Sequence, residues 1–198
     1  MLLTKRLFSS HTFRIISQLP VRSFGMASTF PPSSIRDLAS EVSSLLKERS
    51  ETVCLAETAA GGLISASLLS TPGASKIYKG GLTLYTLESR IAFAGWTEET
   101  RAAYKGPTED VVKGLAENVR GTLGATYCVC ESGTAGPTGG STRNRTPGYV
   151  ALAVATEKGT ATKEAETGLG GDREGNMVAF AVEGLTLLRD VIKGDAKL

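Results

Sequence analysis

Apolar residues at Ile35, Leu38, Ala39, Val42, Leu45 and Leu46 recur at helical spacing and predict an amphipathic helix that opens the folded region. A short continuous apolar run at 52–56 predicts a buried strand, which passes through Glu57, Thr58, Ala59, Ala60, Gly61 and Gly62 into a helix over 63–70. Pro72 and Gly73 break that helix. A second strand is expected over 80–85, followed by a helix to about Ala94. Val111, Val112, Leu115, Val119 and Leu123 predict a helix over 108–123, with Thr108 as its cap and Glu109 and Asp110 in the favourable first turn. A strand over 125–130 then empties into a long loop reaching Pro147. An alternating strand at 149–155, a polar strand at 160–166 and a helix over about 172–192 complete the chain. Strands separated by helices early and a hairpin-like pair late imply an α/β fold: a mixed sheet covered by helices on both faces, a three-layer α/β/α arrangement.

Composition divides the chain in two. Residues 1–36 hold Lys5, Arg6, Arg14, Arg22 and Arg36, many serines and no acid before Asp37. That is the composition of a mitochondrial transit peptide, with Leu2, Leu3, Leu7, Phe8, Phe13, Ile15 and Ile16 as the apolar face of a short helix. A plain tail is the bland alternative. Residues 1–34 are therefore read as leader and linker, residues 35–198 as one domain, and the expected location is the mitochondrial matrix. Met26 offers a second start and a cytosolic form.

The whole chain has 22 basic against 20 acidic residues, and taking away the five basic residues of 1–36 leaves 17 against 20. The domain thus lacks the basic stripe of a nucleic-acid binder, and no stretch is apolar for long enough to span a bilayer. Cys54, Cys128 and Cys130 suit reduced core positions, Cys128 and Cys130 sharing one strand face. The only histidine, His11, lies in the leader. This excludes Ser-His-Asp and Cys-His catalysis and histidine-ligated zinc from the domain, and no other cluster has metal-ligand spacing. No metal or cofactor is expected.

The candidate chemistry sits where the run Tyr127-Cys128-Val129-Cys130-Glu131 gives way to Ser132, Gly133, Thr134, Ala135, Gly136, Pro137, Thr138, Gly139 and Gly140. Glycine lets backbone approach a phosphate or sugar closely, and free N–H groups with the Ser132 and Thr134 hydroxyls can bond it. The same run also reads as a plain connection between strands. Glu57, at the end of a buried strand, has two readings: a general base or orienter of Thr58, or an acceptor for the amides that open the next helix. Arg143 and Arg145 read as solvated charges or as a lid over an anion, and Trp96 as packing between helices.

Three segments and a fourth near the last helix resemble the C-terminal domain of competence/damage-inducible protein CinA, which also occurs alone as nicotinamide-nucleotide amidohydrolase. The family pattern Ala-Glu-Ser-Cys-Thr-Gly-Gly is similar to Ala56-Glu57-Thr58-Ala59-Ala60-Gly61-Gly62. Gly-Gly-x-x-x-Tyr-Ser-Asn-Glu-x-Lys resembles Gly80-Gly81-Leu82-Thr83-Leu84-Tyr85-Thr86-Leu87-Glu88-Ser89-Arg90. The family's Thr/Ser-Gly-Ile-Ala-Gly-Pro-Asp-Gly-Gly segment resembles Ser132 to Gly140, and its Gly-Asp-Arg resembles Gly171-Asp172-Arg173. The likeness covers roughly 35–193.

The resemblance implies deamidation of nicotinamide mononucleotide to the nicotinate nucleotide with release of ammonia, in NAD recycling, without a cofactor, by a homo-oligomer. The nucleophilic hydroxyl falls on Thr58, with Tyr85, Ser132, Glu57 and Arg90 as its catalytic neighbours. Gly61, Gly62, Gly133, Thr134, Gly136, Gly139, Gly140 and Arg173 fall on the substrate, Arg173 as the phosphate partner. Thr58 replaces serine, Ala59-Ala60 replace Cys-Thr, Arg90 replaces a lysine, Thr138 an aspartate and Met177 a second arginine. Arginine cannot serve as a base, which leaves Tyr85, beside Arg90, as a candidate proton acceptor. A threonine amidohydrolase and a nucleotide-binding or regulatory module without turnover both fit this pattern.

Overall fold

The computed structural model describes residues 29–198. The transit-peptide and Met26 expectations fall on 1–28, outside the described residues. The elements are α1 (Ser33–Arg49), β1 (Val53–Glu57), α2 (Leu63–Leu69), β2 (Tyr78–Thr83), α3 (Leu87–Phe93), α4 (Glu98–Ala103), α5 (Glu109–Leu123), β3 (Tyr127–Gly133), β4 (Tyr149–Ala155), β5 (Thr160–Glu166) and α6 (Arg173–Lys193). The strands form one sheet in the order β2-β1-β3-β4-β5. β1 is parallel to both β2 and β3, whereas β3–β4 and β4–β5 are antiparallel. This is the expected mixed sheet.

Strand alternation sorts the two cores. Val53, Leu55, Val129, Leu152 and Val154 face α1, α2 and α6, where Ile35, Val42, Ile64, Phe180 and Leu185 meet them. The other face carries small side chains, Cys54, Ala56, Cys128, Cys130, Ala151 and Ala153, against Val112, Leu115, Ala116 and Val119 of α5. The shortness of those side chains lets α5 lie close to the sheet, and the three thiols are buried and free, with burial pushing those of Cys128 and Cys130 well up. Thr108 caps α5 by accepting from the Val111 amide at 3.3 Å, and Gly124 ends it in the left-handed region at φ 60°.

Three boundaries depart from the sequence reading. β2 begins at Tyr78 and ends at Thr83, which leaves Tyr85 beyond the strand, exposed. β3 runs on through Glu131, Ser132 and Gly133, paired with Leu152, Ala151 and Val150. Ser132 and Gly133 are thus strand residues and not part of the loop. Their polarity concealed the continuation, since polar groups enter a buried strand only when other elements satisfy them. The short α4 had no apolar stripe to announce it, and none of its residues is buried; it is held by its Thr97 cap, whose hydroxyl accepts from the Thr100 amide at 3.2 Å.

Candidate functional site

The site lies at the carboxyl ends of β1 and β3, the central parallel pair. Here the chain departs from β1 through α2 on one face, while β3 is reached from α5 on the other, a switch point of the kind where open α/β sheets bind ligands.

Glu57, the last residue of β1, is in register with Glu131 of β3, and both are fully buried. The two Glu57 oxygens receive the amides of Gly62 and Ile64 at 3.0 Å and of Ser65 at 2.8 Å, together with the Ser65 hydroxyl. Of the two readings of Glu57, this geometry is the acceptor for the amides that open the next helix. Glu131 Oε1 receives the amides of Thr58 at 2.6 Å and Ala60 at 2.7 Å, fixing the bend between β1 and α2. Its Oε2 is buried and has no partner among the described residues. Burial, with Glu57 alongside, pushes the Glu131 carboxyl up to about 8, against the opposing pull of the two amides and Arg90.

That bend presents Thr58 to β3. Thr58 Oγ1 donates to Ser132 Oγ at 3.2 Å, and the Arg90 guanidinium reaches the same oxygen through Nη2 at 3.5 Å. Arg90 is itself buried. Its Nε–H donates to the Leu84 carbonyl at 3.3 Å, and its guanidinium lies against the rings of Trp96 and Tyr104, 5.0 and 5.1 Å from their centroids, which are themselves 5.5 Å apart. Two aromatic faces make burial of this cation tolerable. Trp96 therefore holds an arginine as well as packing between helices. Arg90 Nη1, like Glu131 Oε2, is buried and unpartnered.

Above this floor the rim is assembled by Arg173. Its Nη1 donates to the Gly136 carbonyl at 2.9 Å and its Nη2 to the Tyr85 hydroxyl at 3.3 Å. The cation on Tyr85 is thus Arg173, and Arg90 turns to Ser132. Asp172 caps α6 by accepting from Gly175 at 3.1 Å, which sets Arg173 in its first turn. A Cβ on Gly61 would lie 3.2 Å from Met177 Cε, so the thioether of α6 packs on the bend where the family pattern has an arginine.

The glycine-rich loop is partly spent on itself. Thr134 donates its amide to the Tyr149 carbonyl at 2.9 Å and its hydroxyl to the Asn144 carbonyl at 3.1 Å, and Gly140 donates to the Arg145 carbonyl at 2.7 Å. Gly133 is required by packing: a Cβ there would meet the Tyr149 carbonyl at 2.6 Å and Phe180 at 2.8 Å. Gly133, Thr134, Thr138, Gly139 and Arg145 nevertheless line, with Tyr104, an open cavity of about 250 Å3. Arg143 is drawn away from it, bridging Glu164 and Glu166 and stacking on Tyr149.

The structure brings Thr58, Ser132 and Arg90 into one contact, joins Tyr85, Gly136 and Arg173 in a second, and places Gly133, Thr134 and Gly139 on the small cavity. Glu57, Gly61 and Gly62 form the entrance to α2. Sequence reasoning missed Glu131, although it repeats the signal of Glu57, a carboxylate directly after an apolar run. It also missed Asn176, buried in α6, whose amide donates to the carbonyls of Ala135 at 2.9 Å and Gly170 at 2.8 Å and so ties the glycine-rich loop to the last helix. No group of potential metal ligands occurs among the described residues.

Residues 35–192 match the CinA C-terminal domain family. The chain belongs to that family. A CinA-like protein of Prochlorococcus marinus (strain MIT 9313) is 34% identical over 154 residues, 78% of this chain and 34% of the relative. One from Fervidobacterium nodosum is 31% identical over 163 residues, 80% of this chain and 38% of the relative. The chain thus spans about a third of the length of these curated relatives. Among solved structures, competence/damage inducible protein CihA of Agrobacterium tumefaciens superposes with a TM-score of 0.74 at 25% identity, over 82% of this chain and 97% of that one. A competence or damage-inducible protein of Enterobacter asburiae gives 0.73 at 23% identity over 80% and 98%, a likeness of fold.

Proposed function

We propose that this CinA-family protein is an amidohydrolase that removes ammonia from the carboxamide of nicotinamide mononucleotide, with Thr58 as nucleophile. The observation that supports it is the hydrogen bond from Thr58 Oγ1 to Ser132 Oγ with the Arg90 guanidinium behind it, at the carboxyl ends of the central strands. Thr58 Oγ adds to the carboxamide carbon and gives up its proton, the C–N bond breaks and ammonia leaves with that proton. Water then cleaves the threonyl ester to the carboxylate and regenerates the hydroxyl. The amides of Ala59 and Gly61, which have no hydrogen-bond partner among the described residues, are the donors left for the developing oxyanion, since those of Thr58 and Ala60 are held by Glu131. Tyr85 accepts from Arg173, and the phenol and guanidinium at the rim are suited to the nucleotide's ribose phosphate.

The test is ammonia release with product identification from the full chain and nicotinamide mononucleotide, with Thr58→Ala as control. Activity that survives in the control removes Thr58 as nucleophile. One observation favours a second reading, a nucleotide-binding or regulatory module: Thr58 and Ser132 are only 4% and 1% exposed, so turnover requires the rim to open. Nucleotide binding without ammonia release would select it. We further infer a homo-oligomer and a mitochondrial matrix location with a cytosolic form from Met26, resting on the family resemblance and on the composition of residues 1–36.

A further inference from the structure

The floor of the site holds three charge-bearing side chains with different satisfaction. Glu57 accepts at both oxygens from four donors, the arrangement of a carboxylate. Arg90 carries a permanent positive charge and sits beside Ser132. Glu131 is the third. It is the register partner of Glu57, fully buried, bound at one oxygen only.

From these observations we propose that Glu131 is a positioning residue for Thr58, which holds the 58–60 bend through Oε1 while keeping a proton on Oε2, a role that rests on the amidohydrolase reading for its catalytic consequence.

The physical argument is one of charge balance. With Glu131 neutral, the negative charge of Glu57 and the positive charge of Arg90 offset one another beside the Thr58–Ser132 hydroxyl pair. With Glu131 ionised, the floor gains a net negative charge where negative charge must develop on Thr58 Oγ and on the oxygen of the attacked amide, and little water is present to screen it. The neutral acid still offers Oε1 to the Thr58 and Ala60 amides, so the bend survives protonation. The environment favours that form. Burial is the largest influence on Glu131; Glu57 from β1 acts in the same direction, and Arg90 from α3 and the two amides act against it. Cys130 is its titratable neighbour on β3. β4 places apolar Leu152 in register with it, and Arg173 of α6 is engaged by Gly136 and Tyr85. Two adjacent acids with different surroundings, one satisfied as an anion and one retaining its proton, is a recurrent way to divide roles between carboxyl groups.

The test has two arms on the full chain. In the first, the side-chain carboxyl carbon of Glu131 and the backbone amides of Thr58 and Ala60 are followed by NMR between pH 5 and 10 without substrate. All three are expected to titrate together near pH 8 in the parent protein, and the two amide transitions are expected to vanish in Glu131→Gln, whose side-chain oxygen can still accept from them. A Glu131 carboxyl that titrates near pH 4.5, or Thr58 and Ala60 amides indifferent to it, overturns the proton-holding role whatever the substrate is. In the second arm, kcat and KM are measured against pH with nicotinamide mononucleotide. The kcat of the parent is expected to fall about tenfold per unit above pH 8 with KM little changed, and Glu131→Gln to work at a reduced level without that fall. A parent rate that instead climbs through pH 8, with the climb lost in Glu131→Gln, makes Glu131 a base and overturns the inference. Absence of turnover alongside a normal amide titration discards the nicotinamide mononucleotide reading and leaves the proton on Glu131 established.

Discussion

Glu57 of β1 and Glu131 of β3 stand side by side in register on adjacent parallel strands, both without solvent exposure, and between them they accept the backbone amides of Thr58, Ala60, Gly62, Ile64 and Ser65 along the passage from β1 into α2. Two buried acids in register would repel one another if both were charged. The pair therefore ties the stability of the bend to pH. In the unfolded chain Glu131 ionises near 4.5, but in the folded protein only near 8, so the folded state binds more protons between those values. Stability is expected to decline as pH rises from about 4.5 to about 8 and to level off above, by an amount on the order of a few kcal/mol. Urea unfolding of the parent and Glu131→Gln across that range checks this, since the variant should lose that part of the slope.

Thr58 carries a methyl that narrows its rotamers and crowds the approach to Oγ1. Thr58→Ser is expected to raise kcat by roughly two- to tenfold, because the hydroxyl and its bond to Ser132 remain while the crowding goes. Thr58→Ala should lower kcat by a factor of roughly a hundred or more. Steady-state ammonia release on the three proteins decides it.

Arg173 reaches Tyr85 and Gly136 from the first turn of α6, far from any strong packing constraint. Arg173→Ala should raise KM for the nucleotide by roughly tenfold while kcat changes by less than about threefold, the pattern of a lost phosphate contact. A comparison of the nucleotide with its dephosphorylated nucleoside on both proteins shows whether the phosphate is what Arg173 senses.

Arg90 is a different arginine. Removing it takes away two ring contacts and the bond to Leu84, and leaves Trp96 and Tyr104 facing a void. Arg90→Ala is expected to lower unfolding stability by about 2–4 kcal/mol, in contrast to Arg173→Ala, which should lower it by less than about 1 kcal/mol. Urea denaturation followed by Trp96 fluorescence measures both.

Gly133 offers a test of the loop. Its Cβ position is occupied by the Tyr149 carbonyl and Phe180, so Gly133→Ala should destabilise by about 1–3 kcal/mol, whether or not nucleotide is bound. The same substitution at Gly168, where a Cβ would meet nothing within 4 Å but φ is +72°, should cost about 1 kcal/mol from backbone strain alone.

Apolar periodicity was enough to set out the long helices and the order of the strands, because amphipathic faces must be buried whatever their partners are, and it failed at the unburied α4 and at the ends of β2 and β3. It placed α1, α5 and α6, the buried strand β1, the shared face of Cys128 and Cys130 and the late hairpin-like pair, and the motif resemblance singled out Thr58, Ser132 and Arg173. What the sequence could not express was which polar group meets which. Glu131 and Ser132 looked like the start of a loop, and only the bend after β1 turns them into strand residues satisfied by the amides of Thr58 and Ala60 and by the Thr58 hydroxyl. Arg90 and Tyr85 are five residues apart and looked like partners, yet they separate: Arg90 goes inward to the aromatic pair, and Tyr85 goes outward to an arginine 88 residues further along the chain. Burial of apolar surface depends on local pattern and is written in the sequence. The pairing of buried charges depends on distances between segments remote in the chain, and that was decided by the tertiary structure alone.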